Sequence, residues 1–288
     1  MSKNTTSNTT KTKRKKPAGY HEAAFSAFKY LLNDHIKNGD VELFDEHRLS
    51  KRVLKIDIMV VKKNRDVEIE KTWGKIFREH NVIEYKSPVV PLPTLSVFNK
   101  VIHGYVGIYA EKENVKLTDM SATIVCFNKP AELFEQLEAE LNYKILRKHK
   151  GIYYISQKGV PSNKSLAIQV VVSSELEDSD LALKALRNKL DEATAKKVAE
   201  LPADEDAMSL WWDFMMMENG EILSQEVDMT KWKRLINSLE KRGMVTDIER
   251  GWKQEGIQEG RERATKKIFD LLEKGVSLPE AKRMVLAR

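Results

Sequence analysis

Apolar residues recur at three- and four-residue spacing over residues 20–32, at Ala24, Phe25, Phe28 and Leu31 or Leu32. This is the period of an amphipathic helix. The Asn38-Gly39 pair then marks a turn. Residues 41–44 partly alternate and residues 53–62 (VLKIDIMVVK) are rich in β-branched side chains, so both read as strands. The polar run 63–66 closes the second of them. A linking segment carrying Trp73, Ile76 and Phe77 leads to a third strand over 81–86, stopped by Ser87-Pro88.

Pro88, Pro91 and Pro93 make the next stretch an extended loop, because each fixes its own backbone and biases the preceding residue away from helix. From 95 to 110, apolar residues fall at Val97, Phe98, Val101, Ile102, Tyr105, Ile108 and Tyr109, while Lys100, His103, Gly104 and Gly107 share the other side. The two glycines are expected to let that side approach a neighbour closely. A strongly apolar strand is expected over 122–127, a helix over about 131–143, and strands over 152–156 and 166–172. The order is helix, three strands, helix, strand, with additions: an α/β core.

Beyond Ser174 only helices are expected, at 181–201, in the Trp/Met-rich segment 208–217 and at 232–239. The final stretch is dominated by charge, with Glu255-Gly256 and Glu259-Gly260 repeating at four residues. Ser277 and Glu280 suit the start of a last helix. Four parts follow: a basic tail over 1–17, an α/β unit over 18–175, a helical extension over 176–250 and charged C-terminal helices over 251–288.

Composition refines this picture. With 41% hydrophobic and 32% charged residues over 288 positions, the chain is expected to be a soluble globular protein. No apolar run approaches the roughly 18 residues of a membrane span. The first residues lack the apolar stretch of a secretory signal, and the single Cys126 suits a reducing compartment, so the cytoplasm is the expected location. The net charge of +6 is matched by six Lys and Arg in the N-terminal tail, which has no acid, and the remaining body is neutral. A basic arm of this kind can add sequence-independent attraction for phosphate, or simply keep the chain in solution.

The chemistry sits in two of the strands. An aspartate within VLKIDIMVV loses hydration between Ile56 and Ile58 unless something compensates it, and Glu84 poses the same problem after Val82 and Ile83. In a strand, Glu84 and Lys86 point to one face and Tyr85 to the other. If the two strands pair, Asp57, Glu84 and Lys86 can converge. Two carboxylates offer hard oxygen ligands to Mg²⁺, which retains several waters and can hold a substrate phosphate oxygen. The metal lowers the pKa of a bound water, and a lysine beside it can orient that water and offset charge in the transition state.

The segments Lys55-Ile56-Asp57-Ile58-Met59-Val60-Val61 and Asn81-Val82-Ile83-Glu84-Tyr85-Lys86-Ser87-Pro88, followed by the helix with Phe98, Lys100, Val101 and Tyr105, resemble the PD-(D/E)XK nucleases. Within them the likeness is to the bacterial recombination-promoting nuclease and putative-transposase group. It covers roughly residues 22–127, with a looser likeness in the C-terminal Glu-Gly repeats. The resemblance implies a restriction-endonuclease-like α/β core with a C-terminal all-helical extension. It also implies Mg²⁺-dependent endodeoxyribonuclease activity, with Mn²⁺ as a substitute, and DNA as the partner. Asp57 corresponds to the first acid, Glu84 to the second and Lys86 to the lysine. The pattern often carries proline before its first acid, where this chain has Ile56.

A second Glu-x-Lys at Glu280-Ala281-Lys282 opens an expected helix, where residues two apart do not share a face. A buried ion pair between Asp57 and Lys86 is the purely structural alternative, and it leaves Glu84 uncompensated. The functional alternative is a nuclease-like module that binds nucleic acid or a protein partner without cutting.

Other residues carry weaker signals. Glu22 could be a further metal-coordinating acid, although a solvated helix carboxylate is the preferred reading, and Glu68 and Glu70 follow the same logic. Lys100 and His103 could touch phosphate, although a partly buried histidine hydrogen-bonded to a neighbour is the preferred reading of His103. Cys126, in an apolar strand, reads as inert packing, and Trp211, Trp212 and Met215 to Met217 read as core. The Glu-Gly repeats could pair the C-terminal helices of two subunits, and a solvated helix explains them without a partner.

Overall fold

The computed structural model describes residues 19–45, 58–203 and 206–241. The basic tail, Asp57, the Glu-Gly repeats, Ser277 and the second Glu-x-Lys lie outside the described residues. The chain divides into two compact units, Ala18–Asn219 and a second made of Met1–Pro17 with Gly220–Arg288.

In the first unit, helices α1 (Tyr20–Leu31) and α2 (Asn33–Lys37) precede strands β1 (Val41–Phe44), β2 (Ile58–Lys63) and β3 (His80–Lys86). Helix α3 (Leu95–Asn99) runs through a π-helical segment, Lys100–Tyr105, into α4 (Val106–Glu113). Strand β4 (Met120–Cys126), helix α5 (Ala131–Ala139) and strands β5 (Tyr143–His149), β6 (Ile152–Gln157) and β7 (Ala167–Val172) complete the sheet. Helices α6 (Leu181–Lys184), α7 (Glu192–Glu200) and the first part of α8 (Ser209–Glu226) follow. The class is α/β.

The seven strands lie in the order β1-β2-β3-β4-β7-β6-β5. The first three are antiparallel neighbours, β3 and β4 are parallel, and β4 and β7 are parallel. A parallel pair needs a crossover rather than a hairpin, and the α3–π–α4 helix supplies it between β3 and β4.

Register assigns each side chain to a face. Val60, Val82, Ala122, Ile124, Cys126, Val170 and Val172 share one face, packed with Phe98, Val101, Val106 and Tyr109 of the crossover helix and with Leu133 and Leu137 of α5. The opposite face carries Asn81, Ile83, Tyr85, Thr123 and Gln169. Gln169 Nε2 donates to the Trp73 carbonyl at 2.7 Å and to Thr123 Oγ1 at 2.9 Å. Trp73 in turn meets Phe28 of α1 edge-on, 5.1 Å between ring centroids, and its indole N–H donates to Asp180 at 3.0 Å. Thus α1 and the segment before α6 both close this second face.

Asn81 is fully buried and uses its whole bonding capacity. Its Nδ2 donates to the carbonyls of Val61 at 3.0 Å and Arg78 at 2.7 Å, and its Oδ1 accepts from the Arg78 N–H at 2.8 Å and from Ser121 Oγ at 2.5 Å. One amide therefore joins β2, β3, β4 and the turn before β3.

Several elements differ from the sequence pattern. Strand β5 has no clean alternation, since YKILRKH is mostly exposed and is held as a strand by pairing with β6. Helix α5 ends at Ala139, and Asn142 is left-handed (φ 54°), which turns the chain into β5. The helix expected over 181–201 is broken between α6 and α7. Lys189 is left-handed there (φ 57°), and the Asn219 amide donates to the Arg187 carbonyl at 2.8 Å and accepts from the Leu190 N–H at 3.0 Å. Asn219 itself is non-helical (φ −136°, ψ 19°), so α8 kinks where it makes this clasp.

The Trp/Met segment is core: Trp211, Trp212, Phe214, Met215 and Met216 are buried, and the Trp211 indole N–H donates to the Ala182 carbonyl at 2.7 Å. Residues 181–219 belong to the same compact unit as the sheet, so the boundary expected near 176 falls inside that unit. Gly104 and Gly107 also differ from expectation. A Cβ built on either meets nothing within 4 Å, so these glycines serve no close approach.

In the second unit, α9 (Met229–Lys241) starts on Asp228, whose Oδ1 accepts from the Thr230 and Lys231 N–H groups at 2.9 and 3.0 Å. Trp232, Leu235 and Ile236 form its buried stripe.

Two stability predictions follow from these contacts. Asn81→Leu strands the Arg78 N–H, Ser121 hydroxyl and Val61 carbonyl in the interior, and is expected to lower unfolding free energy by about 3 kcal/mol in a denaturant titration. Gly107→Ala, in open space on a helix, is expected to raise it by about 0.5–1 kcal/mol, and a loss instead would show that the space is occupied.

Candidate active site

Glu84 and Lys86 lie toward the C-terminal end of β3, on the face covered by the crossover helix. The neighbours of Glu84 across the sheet are Ile58 on β2 and Ile124 on β4, and that of Lys86 is Cys126. Hydrocarbon on both sides explains why the Glu84 side chain is only 7% exposed. Its Oε1 lies 2.6 Å from Lys86 Nζ, whose side chain remains 26% exposed. The geometry follows from the strand period: residues two apart on one face bring an acid and an amine into contact without a turn.

A carboxylate buried among isoleucines is costly unless its charge is offset, and the ammonium of Lys86 supplies the offset. The lysine bridges the interior and the solvent. It can therefore hold a buried acid at one end of its reach and meet an incoming anion at the other.

Asp57 is the residue before Ile58 in the sequence and lies outside the described residues. Among the described residues, no group of three or more His, Cys, Asp or Glu side chains is placed to hold a metal ion. The described donor set is therefore one hard carboxylate, Glu84, beside an amine. Such a carboxylate suits Mg²⁺ in oxygen chemistry, and a metal site here would draw further ligands from elsewhere, Asp57 being the acid nearest in sequence to the strand that faces Glu84.

The other candidate residues are not brought to this pair. Glu22 is exposed, and its Oε2 accepts the Gly19 N–H at 2.9 Å as part of the cap of α1. The helix that carries it packs on the opposite face of the sheet from Glu84. Glu68 and Glu70 are exposed. Lys100 and His103 project from the exposed side of the crossover helix, and Lys100 Nζ stands 5.1 Å from the centroid of the Tyr105 ring.

Two polar residues that support β3, the buried Asn81 and the half-buried Arg78, do not stand out in the sequence. Asn81 is an amide directly ahead of the apolar pair Val82-Ile83, and Arg78 stands just before the strand. The Arg78 guanidinium donates to three carbonyls, of Thr118 at 2.7 Å, Ser165 at 2.6 Å and Ser162 at 2.7 Å. Burial lowers its pKa from the ordinary arginine value, and the charge of Asp119 partly opposes that shift.

Cys126 faces the same side as Lys86. Its Sγ donates to the Asn128 carbonyl at 3.2 Å, and burial, assisted by the charge of Glu175, pushes its pKa up to about 12. This agrees with inert packing.

Compared with family models, with curated proteins and with solved structures, the chain matches none.

Because Cys126 is the single cysteine, its reactivity can be read without ambiguity. At pH 8 about one thiol in ten thousand is ionised if the pKa is near 12, against about a quarter for a free cysteine. Mass spectrometry after iodoacetamide treatment is expected to find the folded protein unmodified and the denaturant-unfolded protein fully alkylated. Rapid labelling of the folded protein would show that the thiol is neither buried nor held as described.

Proposed function

We propose that the chain is a Mg²⁺-dependent endodeoxyribonuclease of the PD-(D/E)XK kind, built on a restriction-endonuclease-like core. Mn²⁺ is a substitute ion and the cytoplasm its location. The observation that carries this reading is the Glu84–Lys86 pair: an acid and an amine two residues apart on one face of a central strand, 2.6 Å from each other, with Ile58 and Ile124 as the acid's neighbours across the sheet. An ion pair alone would be dispensable to the fold, since hydrocarbon of similar volume would pack as well or better.

In this reading Asp57 and Glu84 hold the ion, which when bound supplies Lewis acidity toward a phosphate oxygen and an acidified water. Lys86 orients the attacking water and offsets the negative charge that builds on the phosphorus-bound oxygens. Hydrolysis adds the water oxygen to phosphorus and breaks one phosphorus–oxygen ester bond, leaving a phosphate monoester and a sugar hydroxyl. Lys100 and His103, on the exposed side of the crossover helix, are assigned to the flanking DNA backbone, and Glu22, whose helix packs on the other face of the sheet, is not assigned to the ion. The resemblance in sequence favours a role in recombination or in the biology of mobile elements. Pairing of subunits through the C-terminal helices is part of the same reading.

Purified protein is expected to nick and linearise supercoiled plasmid with Mg²⁺ or Mn²⁺ and to do neither in EDTA. Asp57→Asn, Glu84→Gln and Lys86→Ala are each expected to reduce the rate about a hundredfold or more, with circular dichroism unchanged. Lys100→Ala and His103→Ala are expected to weaken DNA binding with turnover at saturation retained. Metal-independent cutting, or full activity in Glu84→Gln, would sink the assignment. Tight DNA binding with no cleavage by the parent under either metal would establish the binding module instead.

A further inference from the structure

The described residues contain a second feature suited to nucleic acid, on the other face of the sheet and at the other end of β3. Within the compact unit Ala18–Asn219, acids outnumber Lys and Arg, 31 to 28. Residues 141–174 break that balance, with six Lys and Arg and no Asp or Glu over 34 consecutive positions. This stretch is the β5–β6 hairpin and its connection into β7. Lys144, Arg147, Lys148, Lys150, Lys158 and Lys164 are all exposed on it. Among the described residues, Arg147 alone of these six makes an ion pair, with Glu175 just beyond the stretch.

On the face opposite Glu84, this hairpin and the segment before β3 enclose a groove of about 540 Å³, and no carboxylate is among its lining residues. Leu146 and Tyr154 are directly opposed in register and form an apolar patch in it, with Leu146 42% exposed. Lys148 Nζ stands 5.8 Å from the Tyr154 ring centroid. Lys75 is exposed at the rim, and Arg78 is fixed there by its three carbonyl acceptors. Those carbonyls hold the guanidinium without neutralising it.

Positive charge with no carboxylate among the lining residues, beside a half-buried aromatic ring and an exposed leucine, suits a polymer that alternates phosphates with flat apolar groups. A duplex keeps its base faces stacked on one another. An acidic peptide would satisfy the lysines but would leave the ring without a partner. We infer that the groove bounded by Lys75, Arg78, Lys148 and Tyr154 binds a single strand of nucleic acid.

This is a holding site and not a part of the catalytic pair. His80 and Lys86 are separated by roughly 20 Å along β3 at the usual strand rise, and the groove opens on the face opposite Glu84. Its occupancy therefore does not depend on the nuclease reading, although a strand held here would be retained near a centre that cuts DNA.

Fluorescence anisotropy with a labelled mixed-sequence single-stranded DNA 20-mer, in EDTA so that no probe is cut, tests the inference on the full chain. Lys75→Glu with Lys148→Glu is expected to weaken binding at least tenfold at 50 mM salt. Loss of two phosphate contacts should also flatten the dependence of log K on log salt by about 1.4. Tyr154→Leu is expected to weaken binding roughly fivefold or more, and Tyr154→Phe to retain it, because the face and not the hydroxyl does the stacking. Lys13→Glu with Lys15→Glu, the same charge change in the N-terminal tail, is expected to cost less than the groove pair. Because the probe is not cut in EDTA, binding is read independently of cleavage, which separates failure here from failure of the catalytic assignment. Equal losses from tail and groove variants, or no effect of Tyr154→Leu, would overturn the proposal. So would displacement of the probe by poly-L-glutamate as effective as that by unlabelled DNA of equal charge, which would point to an acidic peptide. Duplex binding as tight as single-strand binding and indifferent to Tyr154 would do the same.

Discussion

Strand β3 is covered on both faces and paired on both edges, and the chemistry of the sheet is governed by what such a position allows. Water reaches little of it, so each polar side chain it carries must be bonded to protein or be costly. Asn81 meets that condition completely, with two donors and two acceptors in use. Tyr85 donates its hydroxyl to the Leu186 carbonyl at 3.3 Å, while burial holds its pKa far above the ordinary phenol value. Glu84 stands between Ile58 and Ile124 and leans on Lys86. A strand that had only to fill the interior would have no need of that acid, and this gives Glu84 its weight in any account of function.

The two faces of the sheet solve different problems. The face shared by Val82, Ile124 and Val170 is packed by α5 and by a long crossover with a π-helical segment in it, Lys100–Tyr105. Wide turns of this kind hold one more residue than an α-helical turn and shift the stripe that faces inward. Here Val101, Ile102 and Tyr105 remain buried across the segment, while Lys100 and His103 stay outside. The other face is sealed by polar fastenings within apolar packing: Gln169 to the Trp73 carbonyl, the Trp73 indole to Asp180, and the Trp211 indole to the Ala182 carbonyl. Hydrogen bonds of this kind contribute little net stability when made and a large penalty when broken, so they select one packing among several that an apolar surface would accept.

The pattern of the chain foreshadowed most of the sheet because β2, β3, β4 and β7 are dense in β-branched residues and bounded by polar or Pro-containing turns. It foreshadowed the neighbouring of Glu84 and Lys86 because a period of two is set by the backbone and not by context. What it did not disclose was settled by tertiary contacts. Strand β5 alternates poorly and owes its form to β6. The break between α6 and α7 depends on an amide some 30 positions away, at Asn219, which no local window contains. Gly104 and Gly107 read as points of close approach, but open space surrounds them, and a local pattern cannot tell an approach from an absence of neighbours.

The uneven placement of acids and bases has a mechanical consequence. A unit with a slight excess of acid overall, yet with six cations and no acid along one run of 34 residues, has a permanent dipole moment. In the field of a polyanion this run is attracted while the acids elsewhere on the unit are repelled, which favours orientations that present the β5–β6 hairpin. At physiological ionic strength the field decays over about 8 Å, so this alignment acts only in the last moments of an encounter, as a filter on orientation more than a long-range pull.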